Sequence, residues 1–169
     1  PLRHRVPTAG FHFREKEPQL NVDKRKIEHY GLGIAQIVAA KRGEDITLED
    51  GRCIPNEELT YRPYAARSYA YLSDTAYSPR AAERIKGADL LYHEATYARS
   101  EEMWSRDRGH STTIEAAKVA EKGEVGRLII GHFSSRYKCH EALVEECRTI
   151  FPNTFLAAEG ETFTIEERR

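Results

Sequence analysis

A chain of 169 residues, 40% hydrophobic and 31% charged, is long enough to bury the core of one domain and too apolar to be a disordered tail. Its net charge of −1 gives the whole molecule none of the basic character that advertises nucleic-acid binding. No apolar run approaches the roughly 20 residues that cross a bilayer, and the polar first stretch has no signal-peptide centre.

Residues 9–15, AGFHFRE, alternate as a strand does, and 23–30 suit a short helix interrupted by Gly31 and Gly33. A second helix is expected over 34–42, stopped by Gly43, and LEDGR at 48–52 carries an Asp-Gly turn. Up to about Thr60 large apolar residues are sparse, so this region reads as a projecting arm over residues 16–59 rather than as core. YAYL at 69–72 is a strand candidate, followed by a short helix from Pro79 to Lys86. ADLLY at 88–92 is a second buried strand. Thr112 and Glu115 form a capping box that opens a helix to about Lys122. RLIIG at 127–131 is a third strand, 139–150 has helical apolar spacing ended by Pro152, and short strands are expected at 155–158 and 162–165. Strands alternating with helices predict an α/β layered domain, with one domain spanning residues 1–169.

Charge is unevenly spread. Residues 1–43 hold Arg3, Arg5, Arg14, Lys16, Lys24, Arg25, Lys26, Lys41 and Arg42 against four acids, and 44–58 is mostly acidic. Such a run is most often a solvated face, although it can also meet phosphate. Cys53, Cys139 and Cys147 are odd in number and lack CxxC spacing, which argues against disulfides and a zinc knuckle and for a reducing cytosol. The chain opens at Pro1, without Met and inside a structured segment, so upstream residues are expected to be missing.

Each of the three best strands leads into residues able to bind metal or move protons: Ser73-Asp74-Thr75, His93-Glu94 and His132. Parallel strands of an α/β sheet place their C-terminal ends on one edge, so Asp, His-Glu and His would meet at one rim. A single His after a strand is usually structural; three such placements in succession point to a site, and His with carboxylate suits zinc or manganese. His110 precedes the capped helix, where the helix dipole disfavours its charged form. It is either a plain loop residue or a proton-transfer group, which would need a carboxylate partner, and Glu94 is the candidate.

HEAT at 93–96, HST at 110–112 and HFSSRY at 132–137 together resemble the motif series of the ribonuclease Z family, zinc-dependent endonucleases of the metallo-β-lactamase superfamily. YLSDTAYSP at 71–79 is similar to that family's strand-end segment, and His4 in LRHRVPTAGF matches its isolated His before a Gly-aromatic strand. The resemblance runs from about residue 2 to 165 and implies the C-terminal part of an αββα sandwich. It implies two Zn2+ per complete site, with His4 and Asp74 on one ion and Asp74 bridging to a second held by His132. The implied reaction is cleavage of precursor tRNA beyond the discriminator nucleotide, with His110 as proton donor oriented by Glu94. Arg136 would contact phosphate, its ordinary reading being a surface salt bridge, while His93, Ser134 and Tyr137 would support the loops. His12, His29 and His140 lie outside the motifs. Lys24, Arg25, Lys26, Lys41 and Arg42 fall where the family grips tRNA, although residues 30–38 read YGLGIAQIV where a Gly-Pro-rich tip is usual. The resemblance also implies a cytoplasmic homodimer with no membrane contact.

The family's HxHxDH cluster does not occur in these 169 residues. The remaining ligand candidates are too few for a metal pair, so the chain alone is expected to be inactive and to bind zinc weakly. Two rival readings are another phosphodiesterase of the same superfamily and a non-catalytic tRNA-binding half.

Overall fold

The computed structural model describes residues 1–168. In chain order the first elements are β1 (Phe11–Arg14), β2 (Asn21–Val22), α1 (Lys24–Tyr30), α2 (Ile34–Lys41), β3 (Ile46–Thr47), β4 (Cys53–Ile54), α3 (Asn56–Leu59) and β5 (Thr60–Tyr61). There follow β6 (Ser68–Leu72), α4 (Pro79–Arg84), β7 (Leu90–Glu94), a 3-10 turn at Arg99–Glu101, and α5 (Glu102–Arg108). The last are α6 (Thr113–Lys122), β8 (Leu128–Gly131), α7 (Glu141–Arg148) and β9 (Thr154–Leu156). Among the described residues no helix is long and apolar enough to cross a membrane.

The chain divides into two compact units, the first made of Pro1–Arg14 and Arg67–Ile165. Its sheet has the order β1-β6-β7-β8-β9, with β1 antiparallel to β6 and every other neighbour parallel. Register pairs Leu72 with His93 and His93 with Ile130, so the ends of β6, β7 and β8 lie side by side. One face carries Ala70, Leu72, Leu91, Leu128 and Ile130, all buried together with α4, α6 and α7 residues. Fully burying Leu91, Leu128 or Ile130 stabilises by about 1.5–3 kcal/mol each. Helix α6 presents Ala116, Ala117, Val119 and Ala120 to this core, small side chains that let the helix sit close to the sheet. Its start is the expected capping box, Thr112 Oγ accepting from the Glu115 amide and Glu115 accepting from the Thr112 amide.

The opposite face is aromatic. Phe11 and Phe13 of β1 stand over Tyr71 and Tyr69 of β6, and Tyr71 stacks on Tyr92 with ring centroids 4.8 Å apart. Phe11 and Phe13 remain 54% and 58% exposed.

Two sequence expectations need correction, and one helix had no sequence signal. Strand β7 runs through Glu94, so His93 and Glu94 are its last residues and not the loop after it. Helix α5 was not expected, because EMWSRDR lacks a regular apolar stripe; it ends on Gly109 at φ 74°, a left-handed cap that glycine adopts freely. Residues 162–165 form no strand. They are held instead by side chains, Arg127 donating to the Thr164 carbonyl at 2.6 Å and Arg67 to that of Ile165 at 3.1 Å.

The second unit comprises Glu15–Ala66 with the residues from Glu166. Helix α1 is capped by Asp23, which accepts from the Arg25 amide at 2.8 Å, and ends at Gly31 with φ 62°. Strands β3 and β4 pair antiparallel around the Asp50-Gly51 turn, with Gly51 at φ 87°. Sparse as they are, Val22, Leu32, Ala40, Ile46, Ile54 and Leu59 gather into a small core of their own.

Candidate metal and proton-transfer site

Beyond the aligned ends of β6, β7 and β8, the chain delivers Asp74, Glu94 and His132 to one edge, and the loop before α6 adds His110. One ligand-capable atom from each of these four residues lies within 4.8 Å of the other three. Nε2 of His132 and Oδ1 of Asp74 are 3.2 Å apart. Asp74 at φ 52° and His132 at φ 59° are two of the three non-glycine residues with left-handed backbone among those described. Such conformations cost about 1–3 kcal/mol each and persist where surrounding structure enforces them.

Glu94 is fully buried and takes four hydrogen bonds. Oε1 accepts from the Thr75 amide at 2.6 Å and from His110 Nδ1 at 2.9 Å. Oε2 accepts from the Thr96 hydroxyl at 2.5 Å and from the Ser111 amide at 3.1 Å. Burial alone would raise the pKa of this carboxyl, but the bonds from His110, Thr96 and Ser111 outweigh it and hold it below the ordinary value. Four donors match the acceptor sites of an ionised carboxylate, so Glu94 has none left for a metal even though it sits in the cluster. Its bond to His110 raises the imidazole pKa above the usual histidine value, against the burial that lowers it. The carboxylate partner that the sequence required for His110 is therefore in place, with Nε2 as the ring's other nitrogen.

The donor set at Asp74 and His132 fits a divalent cation. Two ligand atoms about 2.0–2.2 Å from a tetrahedral zinc lie about 3.4 Å from one another, close to the 3.2 Å seen between these two. His4 stands outside the tight group of four but near it, its ring centroid 4.8 Å from that of His110, which is in turn 5.4 Å from His132. Its Nδ1 is 2.8 Å from the Gly109 carbonyl, which can only accept, so Nδ1 carries a proton and in the neutral ring Nε2 has the lone pair.

The supporting residues occupy ordinary roles. His93 is buried with Nδ1 2.6 Å from the Glu94 carbonyl, and burial pushes its pKa down, as suits a neutral structural ring. The Ser134 amide donates to the Thr96 carbonyl at 3.0 Å, and the Tyr137 hydroxyl accepts from the Ala98 amide at 2.8 Å, so both tie the loops together. Arg136 pairs with Glu101 at 2.7 Å and lies over the Tyr97 ring at 5.3 Å. Thr96, Thr75 and Ser111 lie inside the motifs, but no local pattern reveals that all three donate to one carboxylate.

In the second unit, Arg25 pairs with Asp23 and Lys26 with Glu58, both at 3.0 Å. Lys24, Lys41 and Arg42 are exposed. A groove of about 830 Å³ is lined by Asn21, Lys24, Arg25, Lys41 and Tyr61, among others.

A family model described as a beta-lactamase superfamily domain matches residues 59–133, a span that includes β6, β7 and β8 and reaches His132. A ribonuclease Z of Phocaeicola vulgatus is 43% identical over 166 residues, covering 98% of this chain and 54% of that protein. A ribonuclease Z of Bacteroides thetaiotaomicron is 42% identical over 165 residues, covering 98% of this chain and 52% of that protein. The crystal structure of a long form RNase Z from yeast aligns with a TM-score of 0.50 and 26% identity, over 57% of this chain and 13% of that one. This chain thus spans about half the length of the curated relatives it matches.

Proposed function

We propose that this chain, similar over nearly its whole length to ribonucleases Z and carrying part of a metallo-β-lactamase fold, supplies part of a zinc-dependent endoribonuclease that removes the 3′ trailer from precursor tRNA. The observation that carries this reading is the meeting of Asp74, His132 and the Glu94–His110 pair at the shared ends of three parallel strands. His4, Asp74 and His132 would hold zinc. When bound, the ions would supply Lewis acidity towards the scissile phosphate. Water attacks phosphorus and gives up a proton to solvent, while His110, kept protonated and oriented by Glu94, gives a proton to the departing oxygen of the tRNA 3′ end, so that the products are a 3′-hydroxyl and a 5′-phosphorylated trailer. Arg136 is available to a phosphate oxygen once it exchanges Glu101 for it. Lys24, Arg25, Lys26, Lys41 and Arg42 supply a basic surface for tRNA phosphates, with Lys24 and Lys41 lining the groove.

Two ions with three or four protein ligands each need more than these three residues. The rest would come from the part of the relatives' length that this chain does not match. In the same reading the second sheet of the sandwich packs on the aromatic face, and the complete protein works in the cytoplasm as a homodimer.

The test is cleavage of precursor tRNA and of a simple phosphodiester by the full-length parent and by this 169-residue chain. The parent should cut precursor tRNA, lose about 10²–10⁴ of its rate on His110→Ala, and depend on zinc; this chain should not turn over. A parent that cuts only the simple diester would overturn the tRNA reading. Robust turnover by this chain would overturn the division of the site.

A further inference from the structure

Thr96 lies between the proton-transfer pair and the metal pair. Its hydroxyl is 2.5 Å from Oε2 of Glu94 and 2.9 Å from Nδ1 of His132, and the residue is 6% exposed. A hydroxyl has one proton to give. Glu94, ionised and surrounded by donors from Thr75, His110 and Ser111, can only accept. The Thr96 proton therefore goes to Glu94, and the Thr96 oxygen is left to accept from His132.

That direction settles the imidazole. In the neutral ring Nδ1 of His132 carries the proton, and the Nε2 lone pair lies 3.2 Å from Oδ1 of Asp74. We infer that Thr96 is a positioning residue that locks His132 in its Nδ1–H tautomer and relays the charge of Glu94 to it, presenting Nε2 to a divalent cation shared with Asp74. The inference rests on the reading of Asp74 and His132 as metal ligands. One carboxylate then orients two different functions, His110 through Oε1 and His132 through Thr96 on Oε2. The threonine is itself held, because its carbonyl accepts the Ser134 amide at 3.0 Å and so joins the loop after β7 to the loop carrying His132. Outer partners of this kind raise ligand basicity and remove the freedom of the ring to turn away from the metal.

The test pairs a spectroscopic reading on the zinc-free protein with a zinc titration of the full-length parent. Long-range 1H–15N spectra, recorded well above the histidine range, should show His132 as the Nδ1–H tautomer in the wild type and in Thr96→Ser, with the Nε2–H form appearing in Thr96→Val. Zinc affinity from chelator competition should fall about 10–100-fold in Thr96→Val and return in Thr96→Ser. A wild-type His132 found as the Nε2–H tautomer would overturn the inference without any variant. Equal zinc affinity in the wild type and Thr96→Val would do the same. A full-length parent that takes up no zinc while His132 has the expected tautomer would refute the metal reading and leave the lock on the ring standing.

Discussion

Nδ1 of His110 donates to Oε1 of Glu94 across 2.9 Å, joining the head of the α6 loop to the end of β7. The carboxylate is fully buried and the imidazole side chain is 14% exposed, so the pair is shielded from water on nearly all sides.

This pair makes stability depend on pH in a defined window. Glu94 has a folded pKa below its ordinary 4.5, so its contribution is complete above 4.5 and is lost as pH falls through the lowered value. His110 has a folded pKa above its ordinary 6.5, so its contribution is complete below 6.5 and is lost as pH rises through the raised value. Both are fully present between those two ordinary values. Glu94→Gln sets an amide NH2 against groups that are themselves donors and should cost about 1–3 kcal/mol. Thermal unfolding of the zinc-free wild type and variant across this range should show the gap widest inside the window; a gap independent of pH would refute the linkage.

Gly109 is constrained twice. Its φ of 74° is left-handed, and a Cβ there would sit 3.1 Å from Nδ1 of His4 and 3.3 Å from its Cα. Gly109→Ala should destabilise by about 1–2 kcal/mol from the backbone alone. It should also displace His4, visible as a change in the His4 ring resonances. Denaturant unfolding equal to that of the wild type would show that the cap relaxes freely.

The three thiols should separate by burial. Cys53 and Cys139 are exposed, whereas Cys147 is buried against α6, donates to the Thr113 carbonyl at 3.0 Å, and is pushed up to about 12 by its burial. A thiol reagent should label Cys53 and Cys139 in the native chain and reach Cys147 only on unfolding. Rapid native labelling of Cys147 would mean that α7 opens readily.

The aromatic face should make this chain adhesive. Phe11, Phe13 and Tyr71 expose neighbouring apolar surface on the side of the sheet away from the helices. The chain should bind a hydrophobic dye and associate with rising concentration, and Phe13→Lys should weaken both without lowering the melting temperature. An unchanged dye signal in that variant would place the adhesive surface elsewhere.

Local chemistry was enough to read much of this protein. Apolar runs announced β6, β7 and β8, Thr112 and Glu115 announced the start of α6, and the glycines after α1 and α2 marked where those helices stop, because each signal lies within a few residues of its effect. The motif order also named Asp74, Glu94, His110 and His132 as the residues to watch. Other features depended on partners far away in the chain. The alternating TFTI at 162–165 is no strand; the carbonyls of Thr164 and Ile165 are taken by the Arg127 and Arg67 side chains rather than by a neighbouring ladder. The left-handed backbones of Asp74 and His132, the four donors on Glu94 and the bridge at Thr96 arise only when residues as much as 36 positions apart are brought into hydrogen-bond range. A sequence specifies which groups can donate or accept; which of them meet, and so which nitrogen of His132 keeps its lone pair, is decided by the packed sheet that sets their distances.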